Sequence, residues 1–266
     1  MQDILKKVQV NMPFQMLVEQ YLPVIIREKI NPEIGFDCFA LDQFSRDEYQ
    51  RVADILLDAG LSITFHAPFY DLRPGALDWK IRQATADRLS QIFELVPLFR
   101  PRTIVCHASF DHKYYVTHEE VWLENSLKMW QQFAAMASEM STTIALENVY
   151  EADPHMLHRL FSSFAPSEAV CFCFDTGHFN AFATTTLDEW MSALGVRIGE
   201  IHLHDNNGSG DEHAPVGEGN FPFYQLFDYL HKEKIQPIIT CEPHTEENLW
   251  RTLKNIEKMG LLEHGR

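Results

Sequence analysis

Eight short apolar runs, each followed by a longer segment of helical period, constrain this chain more than any other feature. The runs are KVQVN (7–11), EIGFD (33–37), SITFH (62–66), TIVCH (103–107), TIALE (143–147), CFCFD (171–175), IGEIH (198–202) and IITCE (238–242). Between them the apolar spacing becomes helical. Leu123, Leu127, Trp130, Ala134 and Ala137 advance in steps of four and three, which lays them along one stripe. The segment 47–59 stops at Gly60, a normal helix end. Alternation of this kind implies a parallel sheet, and 266 residues suit a closed (β/α)8 TIM barrel better than an open sheet. No linker, low-complexity tract or solenoid-length repeat divides the chain, so a single domain over 1–266 is expected.

Successive strand side chains point to opposite faces. In the sixth run Cys171, Cys173 and Asp175 share one face, against Phe172 and Phe174 on the other. In the eighth, Ile238, Thr240 and Glu242 oppose Ile239 and Cys241; in the third, Ser62, Thr64 and His66 oppose Ile63 and Phe65. In the fifth, Thr143, Ala145 and Glu147 oppose Ile144 and Leu146. The bulkier face is expected to meet the outer helices while the smaller one fills the barrel. Each inner face then ends in His, Asp or Glu at the C-terminal end, where barrels of this kind carry their chemistry.

The proposed ligand set is His66, His107, Glu147, Asp175, His178, His202, Asp211, His213 and Glu242. Imidazole nitrogen and carboxylate oxygen are donors that a divalent ion accepts without any thiolate. A lone strand-end His or Asp is more often a hydrogen-bonded structural residue. Six strand ends carrying such groups independently is improbable. DTGH at 175–178 sets Asp and His three apart at a strand-to-helix turn, and the segment 202–220 crowds three histidines among four glycines. GSG at 208–210 permits a sharp turn, and VGEGN at 216–220 is expected to return over the site. His204 shares the face of His202, where contact with substrate and support behind a ligand fit equally well.

Other candidates carry less. His112, His118, His155, His158, His231, His244 and His264 read as exposed structural histidines, and Glu212 and Glu218 as solvated rim charges. Phe69, Tyr70, Phe110, Tyr114, Tyr115, Phe179 and Phe182 follow strand ends and divide between pocket walls and barrel caps. Arg73 is placed to bind an anionic group, whereas Arg82 is expected in a surface salt bridge.

With 22 Lys and Arg against 38 Asp and Glu, the formal charge is −16, which repels nucleic acid and anionic membrane at long range. The N-terminus lacks a long apolar stretch with a small-residue cleavage site, and no run reaches membrane-spanning length. The five cysteines form no CxxC pair and read as small core residues. A cytoplasmic location is expected.

HAPF, CHAS, LEN, FDTGH, IHLHD, DEHAPVGEGN and CEP, in this order, resemble the xylose isomerase-like barrel superfamily, from about residue 60 to 243. That group holds sugar isomerases, ketose 3-epimerases and the endonuclease IV type of abasic-site nuclease. In the epimerase branch the resemblance implies one divalent ion (Mn2+, Mg2+ or Zn2+) held by Glu147, Asp175, His202 and Glu242. It also makes Glu147 and Glu242 the acid–base pair. His66, His107, His178 and His204 are the candidate substrate contacts. In the nuclease branch all nine residues would hold three zinc ions.

The expected activity is metal-dependent isomerisation or epimerisation of a small sugar, keto-sugar or polyol through a metal-stabilised enediolate. The nuclease reading ranks second, because FYDLRPGALDWK and ASFDHKYYVTHEE carry few cations for phosphates. A non-catalytic binding barrel ranks third, since a binder needs no proton shuttle. The resemblance also implies a homodimer.

Overall fold

All eight expected strands form in the computed structural model, which describes residues 2–263. His264 lies outside the described residues. The strands are β1 (Gln9–Pro13), β2 (Asn31–Gly35), β3 (Thr64–His66) and β4 (Thr103–His107), then β5 (Thr143–Glu147), β6 (Val170–Asp175), β7 (Ile198–Leu203) and β8 (Ile238–Cys241). They close in sequence order, and β8 pairs back onto β1 in parallel. With helices between successive strands, this is a (β/α)8 TIM barrel.

The first two strands sit two residues from where the apolar runs suggest. Gln9 pairs with Asn31 and Pro13 with Gly35, so β2 begins before Glu33. It ends early because Asp37 leaves the sheet to cap the helix Cys38–Gln43, accepting the Ala40 N–H at 2.7 Å. β3 is likewise shortened to Thr64–His66.

Alternation sorts the side chains as expected. Ile63, Phe65, Ile144, Leu146, Phe172, Phe174, Ile239 and Cys241 all join the main core against the helices. Phe65 packs edge-on to Phe36 and Phe99 at 4.8 and 5.4 Å, and Phe172 stacks with Trp190 at 6.3 Å. Aromatic pairs at these separations add to plain burial. On the helix Glu119–Glu139, Trp130, Ala134 and Ala137 are buried while Leu123 and Leu127 are half-buried. Trp122, Met129 and Phe133 take the middle of that face instead. Cys106, Cys173 and Cys241 are core residues; Cys38 is exposed.

The barrel interior has two unlike halves. Val105, Ala145 and Cys173, with Cys171 against them, form a separate small apolar cluster inside β4–β6. Opposite them, fully buried Glu33, Thr64, Glu200 and Thr240 line β2, β3, β7 and β8. Among the described residues no helix is long and apolar enough to cross a membrane.

Candidate metal centre

The C-terminal ends of β3 to β8 bring the nine sequence-predicted groups to one place. His202 from β7 lies at the centre, fully buried. Its Nδ1 is 3.1 Å from Glu242 Oε1, 3.3 Å from Glu147 Oε1 and 3.7 Å from Asp175 Oδ2. Glu147 also meets His66 Nε2 at 3.3 Å and His107 Nε2 at 3.0 Å through Oε2. On the other side His178 and His213 approach Asp211 Oδ2 at 3.4 and 3.3 Å.

Backbone carbonyls set how three of these rings face. His66, His178 and His213 each donate Nδ1–H to a carbonyl, of Ala67 (2.9 Å), Asn148 (3.0 Å) and Glu242 (2.9 Å) respectively. A neutral ring held this way presents Nε2 as a free electron pair, the arrangement of a metal-ligating histidine. Asp175 is held as firmly: it accepts the His178 N–H at 2.6 Å, and its own N–H donates to Asn148 Oδ1 at 2.9 Å. A Cβ on Gly177 would lie 1.9 Å from the His204 ring, so only glycine allows that ring its position in the DTGH turn.

Burial resists ionisation throughout, and mutual charge mostly overcomes it. Burial works to raise the Glu147 carboxyl, yet His202 and His107 hold it well below the usual carboxylate range. Glu242 is lowered against burial by His202 and His213. Burial disfavours charge on His202, but Cys173, Glu242, Glu33 and Glu147 push it well up. His213 rises to about 9, against burial, chiefly through Asp211. His107 goes the other way, because burial outweighs the pull of Glu147.

Several buried atoms in the cluster make no well-formed hydrogen bond, although a group of opposite charge stands close to each: Glu147 Oε2, both nitrogens of His202 and Nδ1 of His204. Buried polar atoms are rarely left so. They face one another with ligand spacing. His66, Glu147 and His202 offer atoms within 4.8 Å of one another, as do Glu147, Asp175 and His178, and His204, His213 and Glu242. The donor set fits a divalent cation.

A cleft of about 810 Å³ opens over this centre, within the size of small-molecule sites, and His66, His107, Glu147, His178, Asp211, His213 and Glu242 all reach it. His204 does not line it. Suited equally by sequence to substrate contact or to support behind a ligand, it is buried behind Asp175, donating Nε2–H to Oδ2 at 3.0 Å, and is covered by His213. Phe69, Tyr70 and Phe110 form wall, whereas Tyr115 and Phe179 are buried in packing; Phe182 stacks near His178. Arg73 lines the cleft. Among the described residues Arg82 has no ion-pair partner, and it donates to the carbonyls of Ala76 and Leu77 at 2.6 and 3.1 Å. His244 is exposed, as expected, and it also lines the cleft and stacks on His213 at 4.1 Å. Glu218 pairs with Arg251.

Four groups escaped the sequence reading. Glu33 and Glu200 lie inside strands, and the alternation that placed Thr64 and His202 inward also places them there. Glu151 lines the cleft with its carboxyl raised to about 7 by burial. Asp205 is fully buried and accepts backbone N–H groups from Gly217 (3.0 Å), Gly219 (2.8 Å) and Phe221 (3.1 Å). It anchors the return of the 202–220 loop, which Gly217 helps by a φ of +79°.

A family model described as "Xylose isomerase-like TIM barrel" matches residues 32–259. Uncharacterized protein MJ1311 of Methanocaldococcus jannaschii is 26% identical over 68% of this chain and 64% of its own length. Among solved structures, a D-tagatose 3-epimerase-like protein has a TM-score of 0.76 at 20% identity, covering 95% of this chain and 96% of that one. The TTHB071 protein from Thermus thermophilus, soaked with ZnCl2, has a TM-score of 0.78 at 20% identity, covering 98% and 99%.

Proposed function

The chain belongs to the xylose isomerase-like TIM barrel family, and we propose that it is a divalent-metal-dependent epimerase or isomerase of a small, uncharged sugar-type substrate. One observation carries the reading. Glu147 and Glu242, from separate strands, converge on one ring nitrogen of His202 at 3.3 and 3.1 Å, and both reach the cleft. A binding barrel has no use for two carboxyl groups that converge from separate strands and open onto one cleft.

Glu147, Asp175, His202 and Glu242 would hold the ion, and buried Glu147 Oε2 and His202 Nδ1, which lack a well-formed hydrogen bond, are the sign that they fit one. Their carboxylate and imidazole donors suit Mn2+, Mg2+ or Zn2+. When bound, such an ion supplies Lewis-acid polarisation of a carbonyl. The chain's own groups move the proton. One of Glu147 and Glu242 accepts the proton from the carbon beside the carbonyl, and the C–H electrons pass into an enediolate. The other, which enters the step as the carboxylic acid, gives its proton to the opposite face for epimerisation or to the neighbouring carbon for isomerisation. His66, His107 and His178, which line the cleft, are placed to orient substrate hydroxyls.

Charge argues for a substrate without phosphate. Among the described residues Arg73 is the one Lys or Arg that lines the cleft, whose walls include Asp37, Asp71, Asp211 and Glu246. A phosphate group is normally met by several cations.

The three-zinc nuclease remains the second reading, because all nine of its ligand types gather here. A duplex would need several neutralised phosphates, and the cleft supplies one guanidinium. Two measurements on purified protein separate the readings: bound metal per chain, and deuterium uptake from D2O into ketoses followed by NMR. One equivalent with uptake, abolished in Glu147→Gln and Glu242→Gln, is expected. Three zinc equivalents with cleavage of an abasic duplex, and no uptake, would replace the epimerase by the nuclease.

A further inference from the structure

Glu33 sits in the middle of β2, one layer below the proposed ligands, and does not reach the cleft. It is fully buried, yet four groups converge on its carboxylate. Asn11 Nδ2 donates to Oε1 at 2.8 Å, Thr64 Oγ1 donates to Oε2 at 3.1 Å, and Thr240 Oγ1 lies 3.2 Å from Oε2. The fourth is His202, whose Nε2 is 3.3 Å from Oε1. Thr240 Oγ1 also lies 3.0 Å from Oε1 of fully buried Glu200. One hydroxyl hydrogen cannot serve two carboxylates, so the layer needs one further proton. Glu33, met by Asn11, Thr64 and His202 together, is the carboxylate, which leaves the proton to Glu200.

A barrel needing only stability would fill this layer with Val, Ile or Leu. The carboxylate has a directional consequence instead. It faces one nitrogen of His202 from below, while Glu147, Asp175 and Glu242 face the other from above. We propose that Glu33 is a positioning residue that claims Nε2–H of His202 and so commits Nδ1 to the metal centre. His202 is then the odd ring of the cluster, since His66, His178 and His213 give Nδ1–H to carbonyls and present Nε2. A carboxylate behind a ligating imidazole also makes it a stronger donor. The inference rests on the metal-centre reading above.

The test uses full-length protein and Zn2+ alone. Zinc affinity is measured by competition with a chelating dye for the unmutated chain, Glu33→Gln and Glu200→Gln. Glu33→Gln is expected to weaken binding roughly 10- to 100-fold. Glu200→Gln, an isostere of the neutral acid in the same layer without contact to His202, should stay within about twofold, since it leaves the ligand's partner in place. Long-range 15N–1H spectra of the zinc-loaded unmutated protein, with His202 assigned through His202→Gln, should show Nδ1 bound to metal and Nε2 carrying hydrogen. Equal losses in both variants, or no loss in either, would overturn the proposal. So would coordination of His202 through Nε2, which is readable even if Glu33→Gln does not fold. Failure of the unmutated chain to bind zinc overturns the metal-centre reading as well, and is thereby distinguishable from failure of Glu33's role alone.

Discussion

His204 and His213 stack face to face, their ring centroids 3.8 Å apart and their planes 2° from parallel. The inner ring is tied to Asp175 and the outer one to the Glu242 carbonyl. The pair therefore clamps the ends of β6, β7 and β8 together through side chains from two segments of one loop region. Gly177 is the floor beneath it.

Gly177→Ala should displace that clamp. The added methyl would lie 1.9 Å from His204 Cε1, so the ring or the turn must move, at a typical overpacking loss of about 1–3 kcal/mol. Urea unfolding measures the loss, and divalent-ion affinity should fall with it. An unchanged midpoint would show that the turn yields freely.

Asp205→Ala should loosen the 202–220 loop. Its carboxylate satisfies the N–H groups of Asn206, Gly217, Gly219 and Phe221. Leaving the buried donors of Asn206 and Phe221 unpaired should cost about 2 kcal/mol or more. Limited proteolysis near Gly208–Gly210 is expected to speed up, and Asp205→Asn should recover part of the protection.

Glu151 predicts a pH effect with a definite sign. Its folded-state value near 7 lies above the ordinary 4.5, so the folded chain holds a proton that the unfolded chain releases. Stability from this group is full below about pH 4.5 and is lost as pH rises to about 7, by up to roughly 3 kcal/mol. Glu151→Gln removes the dependence. Its stability relative to the unmutated chain should therefore climb from about pH 5 to about pH 8; a flat difference would contradict the assignment.

Phe65→Ala tests the outer core. The ring is fully buried between Phe36 and Phe99, and truncation should lose about 3–5 kcal/mol. Thermal unfolding would show it, while zinc affinity at low temperature should be little altered, because Phe65 points away from the barrel interior.

The barrel is legible in the sequence because two periodicities carry it. Strand alternation places Phe172 and Cys173 on opposite faces, and the inner face of each later strand runs on to a ligand-type residue. The same rule covers Glu33 and Glu200, but they stand within strands, where an apolar residue is the ordinary expectation. Asp205 is hidden differently: its partners are backbone amides 12 to 16 residues onward, and no side-chain pattern announces them. Arg82 differs from expectation because a helix-surface position gives no local sign of the carbonyls its side chain can reach. The burial of His204 follows from Gly177, a contact between separate segments that spacing along the chain does not express.

The unequal lining of the barrel bears on how such a scaffold can change. The side built from Val105, Ala145 and Cys173 offers exchangeable bulk, and substitutions there trade volume alone. Across from it every residue answers to another's proton or hydrogen bond, so a single replacement propagates to its neighbours. New specificities would then arise by remodelling one hemisphere while the other is inherited whole.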